Sequence, residues 1–153
     1  LIHDQRRHVP AAGEIWVDLP DGSEHRAQVL AYDPHLDLAA LAIEAHGLPT
    51  IALGNSGALL PGEWVTALGF PWGVPGGTTS GIVIGQGIAL PEASLPNRDW
   101  LMVSLHLRPG HSGGPLVNTQ GALVGINTLM TGPDVGGAVP VDTVKRFLKQ
   151  RMV

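Results

Sequence analysis

The chain contains no cysteine. That excludes a disulfide framework, a cysteine nucleophile and any thiolate metal site. It does not decide the compartment. Aromatic residues are scarce, at 5% of 153 residues, so a core must be built from aliphatic side chains. No basic stripe is present and the formal net charge is −4, which argues against a nucleic-acid partner. No apolar run approaches the roughly 20 residues of a membrane-spanning helix, so no membrane span is expected. The opening Leu1-Ile2-His3-Asp4 has neither the charged nor the apolar region of a signal peptide.

Glycine and proline are plentiful, with 21 and 13 copies, and hydrophobic residues make up 44% of the chain. Frequent turns between short apolar stretches favour an all-β sandwich or barrel. The length fits one domain or two small packed barrels. Glu14 to Leu19 alternates, with Ile15, Val17 and Leu19 on one side. Pro20-Asp21-Gly22-Ser23 is a turn, and Arg26 to Tyr32 returns with Ala27, Val29 and Ala31 alternating, which predicts a hairpin. Trp64 to Leu68 and Thr79 to Gly85 read as strands, with Trp72 to Thr79 a loop between them. Ile88 to Asp99 reads as a loop and Trp100 to Leu107 as a strand. Leu116-Val117 and Ala122 to Asn127 form a hairpin around Gly121, a residue suited to positive φ. Asp142 to Met152 reads as a helix with Val144, Phe147, Leu148 and Met152 on one face. Asp142 is placed to cap its first turn, and cations gather toward its end.

The most informative stretch is Leu107-Arg108-Pro109-Gly110-His111-Ser112-Gly113-Gly114-Pro115-Leu116-Val117. A serine hydroxyl needs a base, an open approach for a carbonyl and donors for the oxyanion that forms. Gly110 can turn its N–H toward the point faced by the N–H of Ser112. Gly113 and Gly114 carry no side chain to block a substrate. The same composition also suits an ordinary tight surface loop.

The segment Gly110 to Thr128, GHSGGPLVNTQGALVGINT, resembles the nucleophile segment of HtrA/DegP-type, trypsin-like serine proteases. Further matches follow the same order along the chain: Asp37-Leu38-Ala39, Leu53-Gly54-Asn55-Ser56, Gly62 to Pro71, Thr79 to Gly85, and Gly136 to Val144. The resemblance implies two Greek-key β-barrels, the first incomplete, with a C-terminal helix. It divides the chain into residues 1–75 for the first barrel, 76–140 for the second barrel with the nucleophile loop, and 141–153 for the closing helix. The change between barrels is placed around Phe70 to Thr79. No PDZ domain is expected within these residues. One departure stands in the strand before the nucleophile, where Val103-Ser104-Leu105 replaces the family's Thr-Asp-Ala.

By this resemblance Ser112 is the catalytic nucleophile, Asp37 the acidic member of the triad, and Gly110 and Ser112 form the oxyanion hole. Leu107, Thr128 and Leu129 would line the primary pocket, and Asn127 to Leu129 would offer an edge to an extended peptide. None of the pocket residues is charged, so small or medium apolar side chains are expected before the cut. The base is a histidine, and two alignments stay open. His8-Val9 stands at about the family's distance from Asp37, but Gln5-Arg6-Arg7 precedes it instead of small residues. Alternatively, Leu1-Ile2 follows a histidine that lies upstream of this chain. His3 is a poorer third candidate. His111, beside the nucleophile, is expected to point toward bulk solvent. The remaining histidines are scattered, so neither metal nor cofactor is expected. The implied activity is a serine endopeptidase acting on unfolded or extended polypeptides, in a periplasmic or other extracytoplasmic compartment. A homotrimer in the full-length protein is a further implication. Without its base, the same cleft would be a module that binds peptides and does not cut them.

Overall fold

A computed structural model of the chain describes residues 13–87, 99–132 and 134–151. His8 and most of the expected 88–99 loop lie outside the described residues, as does Met152. The expected hairpin is present: β1 (Ile15–Asp18) pairs antiparallel with β2 (Glu24–Asp33), which also pairs with β3 (Leu38–Ile43). Asp21 closes the first turn by accepting both the N–H and the hydroxyl of Ser23, at 2.9 and 2.7 Å. The expected alternation of Ala27, Val29 and Ala31 breaks at Val29, which is 47% exposed. A bulge between Val29 and Ala31 inserts Leu30 and turns the strand's face. Among the described residues these strands form a three-stranded sheet, separate from the closed barrel that follows.

The second barrel is closed by six strands: β4 (Trp64–Gly69), β5 (Gly77–Gly87), β6 (Trp100–Ser104), β7 (Pro115–Asn118), β8 (Leu123–Gly132) and β9 (Val135–Pro140). Around the barrel they run β4-β5-β6-β9-β8-β7. Two boundaries differ from the sequence reading. β4 pairs with β5 and β7, so the closed barrel starts at Trp64 and not after residue 75. Gly77 to Thr79 belong to β5, because they continue its ladder against β4. The barrel interior is aliphatic: Val65, Ala67, Val83, Leu101, Val103, Leu116, Val124 and Ala138 are all buried. Burying each larger side chain of this kind contributes about 1.5–3 kcal/mol. The same strands turn Trp64, Ile82 and Ile84 outward.

The order around the barrel positions the site. β6 and β7 are consecutive in sequence but do not pair, since β9 and β8 lie between them. Their connection must cross an end of the barrel. That connection carries the glycine–serine motif, so the barrel holds it at both ends while its middle stays at the surface.

The helix α1 (Val141–Arg151) joins the two sheets. Val144 and Phe147 are buried with Leu38 of β3 and Val139 of β9, and Leu36, Ile126 and Leu148 pack on the same cluster. Asp142 does not cap its own helix as expected. Its carboxylate instead accepts Ser56 Oγ at 3.0 Å and the Gly57 N–H at 2.9 Å. Ser56 Oγ in turn accepts the Asp142 N–H at 3.1 Å, so the helix is capped by a serine distant in sequence. Lys145 Nζ bonds both Asp142 and the Gly54 carbonyl. Burial pushes the Asp142 carboxyl up, but the Gly57 amide, the Lys145 ammonium and the Ser56 hydroxyl outweigh it and hold the group below its ordinary value near 3.8. A lowered folded-state value means that the stabilisation is complete above the ordinary value and is lost as pH falls through the folded one. Asp142→Ala is therefore expected to cost about 2 kcal/mol at neutral pH, the scale of hydrogen bonds to a charged group. Urea unfolding at pH 7 and in strong acid checks this: the gap to wild type narrows in acid.

Candidate active site

The Arg108–His111 stretch is a tight turn. His111 N–H donates to the Arg108 carbonyl at 3.0 Å, Pro109 stands second, and Gly110 stands third with φ +103°. Proline second and a positive-φ glycine third are the marks of a type II turn. The turn is tied down on both sides. Phe70 N–H donates to the Gly110 carbonyl at 2.8 Å, and Gly114 N–H to the His111 carbonyl at 2.9 Å. Gly113 N–H donates to Asn127 O at 2.7 Å, and Asn127 N–H returns to Gly114 O at 2.9 Å. Arg108 N–H meets the His111 ring nitrogen Nδ1 at 3.0 Å.

Of the six N–H groups from 108 to 114, four have an acceptor, and Pro109 has no N–H to offer. The exceptions are Gly110 and Ser112: among the described residues their N–H groups donate to no protein atom. Backbone N–H groups are strong donors that folded proteins rarely leave unbonded. Two in one turn, separated by one residue, leave donor capacity for something else.

Glycine is required here by space as well as by φ. A Cβ on Gly110 would lie 2.5 Å from the Phe70 carbonyl oxygen. One on Gly114 would lie 2.1 Å from the Leu68 carbonyl oxygen. The turn is therefore pressed against the end of β4. His111 departs from expectation for the same reason. Its side chain does not face solvent; the residue is 2% exposed. Gly69 leaves room for the ring, since a Cβ there would come within 3.0 Å of His111 Cδ2.

Ser112 is exposed and its hydroxyl donates to the Thr128 carbonyl at 3.0 Å. Thr128 lies at a bulge between Asn127 and Leu129, outside the regular β8–β9 ladder. Bulges of this kind re-aim residues beside sites. Asn127 is 1% exposed, its backbone is held by Gly113 and Gly114, and its Nδ2 donates to the Pro115 carbonyl at 3.1 Å. It supports the serine loop and has no free backbone edge. β7 begins at Pro115, opposite Ile126, so from Thr128 onward β8 has, among the described residues, a strand on its β9 side only. Leu107 is 4% exposed and belongs to the barrel core, packed over Gly136.

Asp37 is an exposed turn residue with φ +55°, a left-handed conformation uncommon outside glycine. Among the described residues its carboxylate has no hydrogen-bond partner. The turn is shaped by Asp33, which accepts the N–H groups of His35 and Leu36 at 3.0 and 3.1 Å. The Leu36 amide leads in holding the Asp33 carboxyl below its ordinary value. Leu36 and Leu38, on either side of Asp37, pack in the cluster that contains Ile126. Ile126 is two residues before the carbonyl that accepts Ser112. The cluster thus ties the acid's turn to the serine's side of β8.

A shallow depression of about 320 Å³ adjoins the turn, lined by Pro71, Trp72, Val74, His106, Arg108 and His111 among others. Trp72 is 74% exposed with φ +53°, and the Arg108 guanidinium carbon sits 5.2 Å from its ring centre. His106 Nδ1 pairs with Asp134 at 2.7 Å. The sequence reading missed these residues; the one available signal was a tryptophan in a glycine–proline loop. A larger depression, of about 610 Å³, lies on β2 and β3 and shares no residue with the turn. Among the described residues no group of three or more His, Asp or Glu side chains could hold a metal ion. Among the described residues no helix is long and apolar enough to cross a membrane.

Fold and site together describe a β-barrel protein with a serine on a glycine-rich crossover turn, and comparison with known proteins gives this arrangement a family. Residues 3–126 match the trypsin-like peptidase domain, and the chain belongs to that family. Within it, the similarity is to HtrA/DegP-type serine proteases. A probable periplasmic serine endoprotease, DegP-like, from Pseudomonas fulva is 46% identical over 123 residues, which is 79% of this chain and 25% of that protein. The mitochondrial serine protease HTRA2 of Drosophila pseudoobscura pseudoobscura is 38% identical over 138 residues, 89% of this chain and 32% of that one. A structure of the HtrA-type protease AlgW with a decapeptide superposes with a TM-score of 0.84 at 34% identity, covering 92% of this chain and 45% of that chain. The chain thus spans a quarter to a third of these two relatives' length.

The close approach of Gly114 to β4 gives a steric test. Gly114→Ala places a methyl group against two fixed carbonyls, of Leu68 and His111. It is expected to destabilise the barrel by about 1–3 kcal/mol, as overpacking does, and thermal unfolding measures it.

Proposed function

We propose that this chain is the catalytic domain of a serine endopeptidase, with Ser112 as nucleophile. The observation that carries the reading is the pair of unbonded amides, Gly110 and Ser112, on the turn that presents the serine hydroxyl. In the proposed reaction Ser112 Oγ attacks a peptide carbonyl and its proton passes to a histidine. That base is His8, or a histidine upstream of Leu1 in a longer protein. Asp37 orients the imidazole and stabilises its charged form. The carbonyl oxygen becomes an anion held by the two amides, each worth about 3 kcal/mol in such sites. Collapse of the tetrahedral species expels the amine, which takes the proton from the histidine, and water then releases the acyl group by the same steps in reverse.

The free side of β8 beyond Asn127 supports an extended polypeptide as substrate, bound by strand addition. Thr128 and Leu129 would flank the side chain before the cut, with Leu107 beneath them, which favours small or medium apolar residues. Relatives named as periplasmic and mitochondrial enzymes support a place outside the cytoplasm, and a homotrimer in the full-length protein is part of the same proposal.

A second reading is favoured by one contact. Ser112 Oγ donates to the Thr128 carbonyl, and no imidazole meets it among the described residues. A domain that stays in this state binds peptides without cutting them. Reaction with a fluorophosphonate probe and casein cleavage, each beside Ser112→Ala, separate the two. Labelling and cleavage that both vanish in the variant support the peptidase. Peptide binding without either supports the binding module. Activity confined to a longer protein places the base upstream.

A further inference from the structure

We infer that His111 is a positioning residue for the oxyanion turn, acting through an unprotonated Nδ1 that binds the Arg108 amide. The inference rests on the reading of Gly110 and Ser112 as oxyanion donors and goes one layer behind it.

Two residues hold each other across the turn. His111 N–H donates to the Arg108 carbonyl, and Arg108 N–H meets His111 Nδ1, both at 3.0 Å. The arrangement resembles the reciprocal bonding that closes the first turn of a helix. Pro109 and Gly110 lie inside the loop so formed. Nδ1 also lies 3.2 Å from the Arg108 carbonyl, so the tautomer must be decided. If Nδ1 carried the proton, it would face the Arg108 N–H donor to donor, and that amide would lose its acceptor. The Arg108 carbonyl needs nothing further, since it already accepts the His111 amide. With the proton on Nε2, both backbone groups of Arg108 are satisfied. Among the described residues Nε2 is buried without a partner in either case, so it does not discriminate. The neutral form with the proton on Nε2 leaves the fewest groups unbonded.

The consequence concerns the reacting serine's neighbours. Without the ring nitrogen, Arg108 N–H becomes a third unbonded amide in the turn, and one of the two bonds closing it disappears. Loss of a partner for such a donor corresponds to about a tenfold to hundredfold change in an equilibrium constant. The population with Gly110 and Ser112 amides in place falls accordingly. The exposed serine need not move, so substrate binding is affected less than the transition state.

Two variants separate this role from packing. His111→Asn puts Oδ1 at the same bond position as Nδ1 and keeps an acceptor. His111→Leu keeps comparable bulk without one. The asparagine variant is expected to hold kcat within about threefold of wild type. The leucine variant is expected to lose about tenfold or more in kcat with KM nearly unchanged, the pattern of an interaction made in the transition state. Nitrogen-15 NMR of the unmodified chain is expected to show Nδ1 of His111 bearing a lone pair and Nε2 bearing the proton. In His111→Leu the Gly110 and Ser112 amide resonances are expected to shift or broaden while those of β4 to β6 persist; in His111→Asn they stay near wild type. A protonated Nδ1, a leucine variant with wild-type amide resonances, or an asparagine variant as impaired as leucine overturns the inference. If neither this chain nor a longer protein that contains it labels or cleaves, the peptidase reading falls instead, and the resonances still decide the role of His111.

Discussion

The structure depends on how hydrogen bonds are distributed within one seven-residue turn. Arg108 to Gly114 crosses the end of the barrel because the strand order separates β6 from β7. A crossing segment has no ladder to satisfy its backbone, so each amide needs its own partner. Those partners come from two places, the turn itself and β8 at Asn127, while Phe70 just beyond β4 donates its own N–H to the Gly110 carbonyl. Gly110 and Ser112 are what remains. The chemistry proposed for Ser112 needs donors fixed in place before the reaction starts, since donors that must reorganise contribute less. Close packing of Gly69, Gly110 and Gly114 against neighbouring backbone supplies that rigidity.

The second constraint is the apolar seam between the sheets. Leu36 and Leu38 carry the Asp37 turn into the cluster that holds Val139, Ile126 and the face of α1. The Ser56–Asp142 pair then fixes the start of that helix. An acid on one sheet and a serine on the other are thereby referred to one packed core. Residues that never touch a substrate set the relation between the two.

Much of this was legible in the sequence. Strand alternation gave β1, β2, β4 and β5, because one buried face imposes a period of two. Pro-Asp-Gly and Asn-Thr-Gln-Gly marked turns through φ requirements that only a few residues meet. The motif around Ser112 was visible because its glycines are demanded by both φ and space. Less legible were features set by partners far away in sequence. The bulge at Leu30 turned Val29 outward, and nothing local announced it. Asp142 looked like a cap for its own helix, but Ser56 and Gly57 reached its carboxylate first. β4 joined the second barrel because of its pairing with β7, a contact no local pattern encodes. His111 looked solvated, and its burial depends on a missing Cβ at Gly69. Leu107, expected beside the primary pocket, is also buried in the barrel core, which depends on partners far away in sequence.

Where negative charge is stabilised can be seen in a crystal structure of the chain reacted with a peptide boronic acid. A covalent bond to Ser112 Oγ is expected, with one boronate oxygen about 2.7–3.1 Å from both the Gly110 and the Ser112 nitrogens. A boronate held elsewhere, or bonded to Ser112 with that oxygen turned away from both amides, would contradict this expectation.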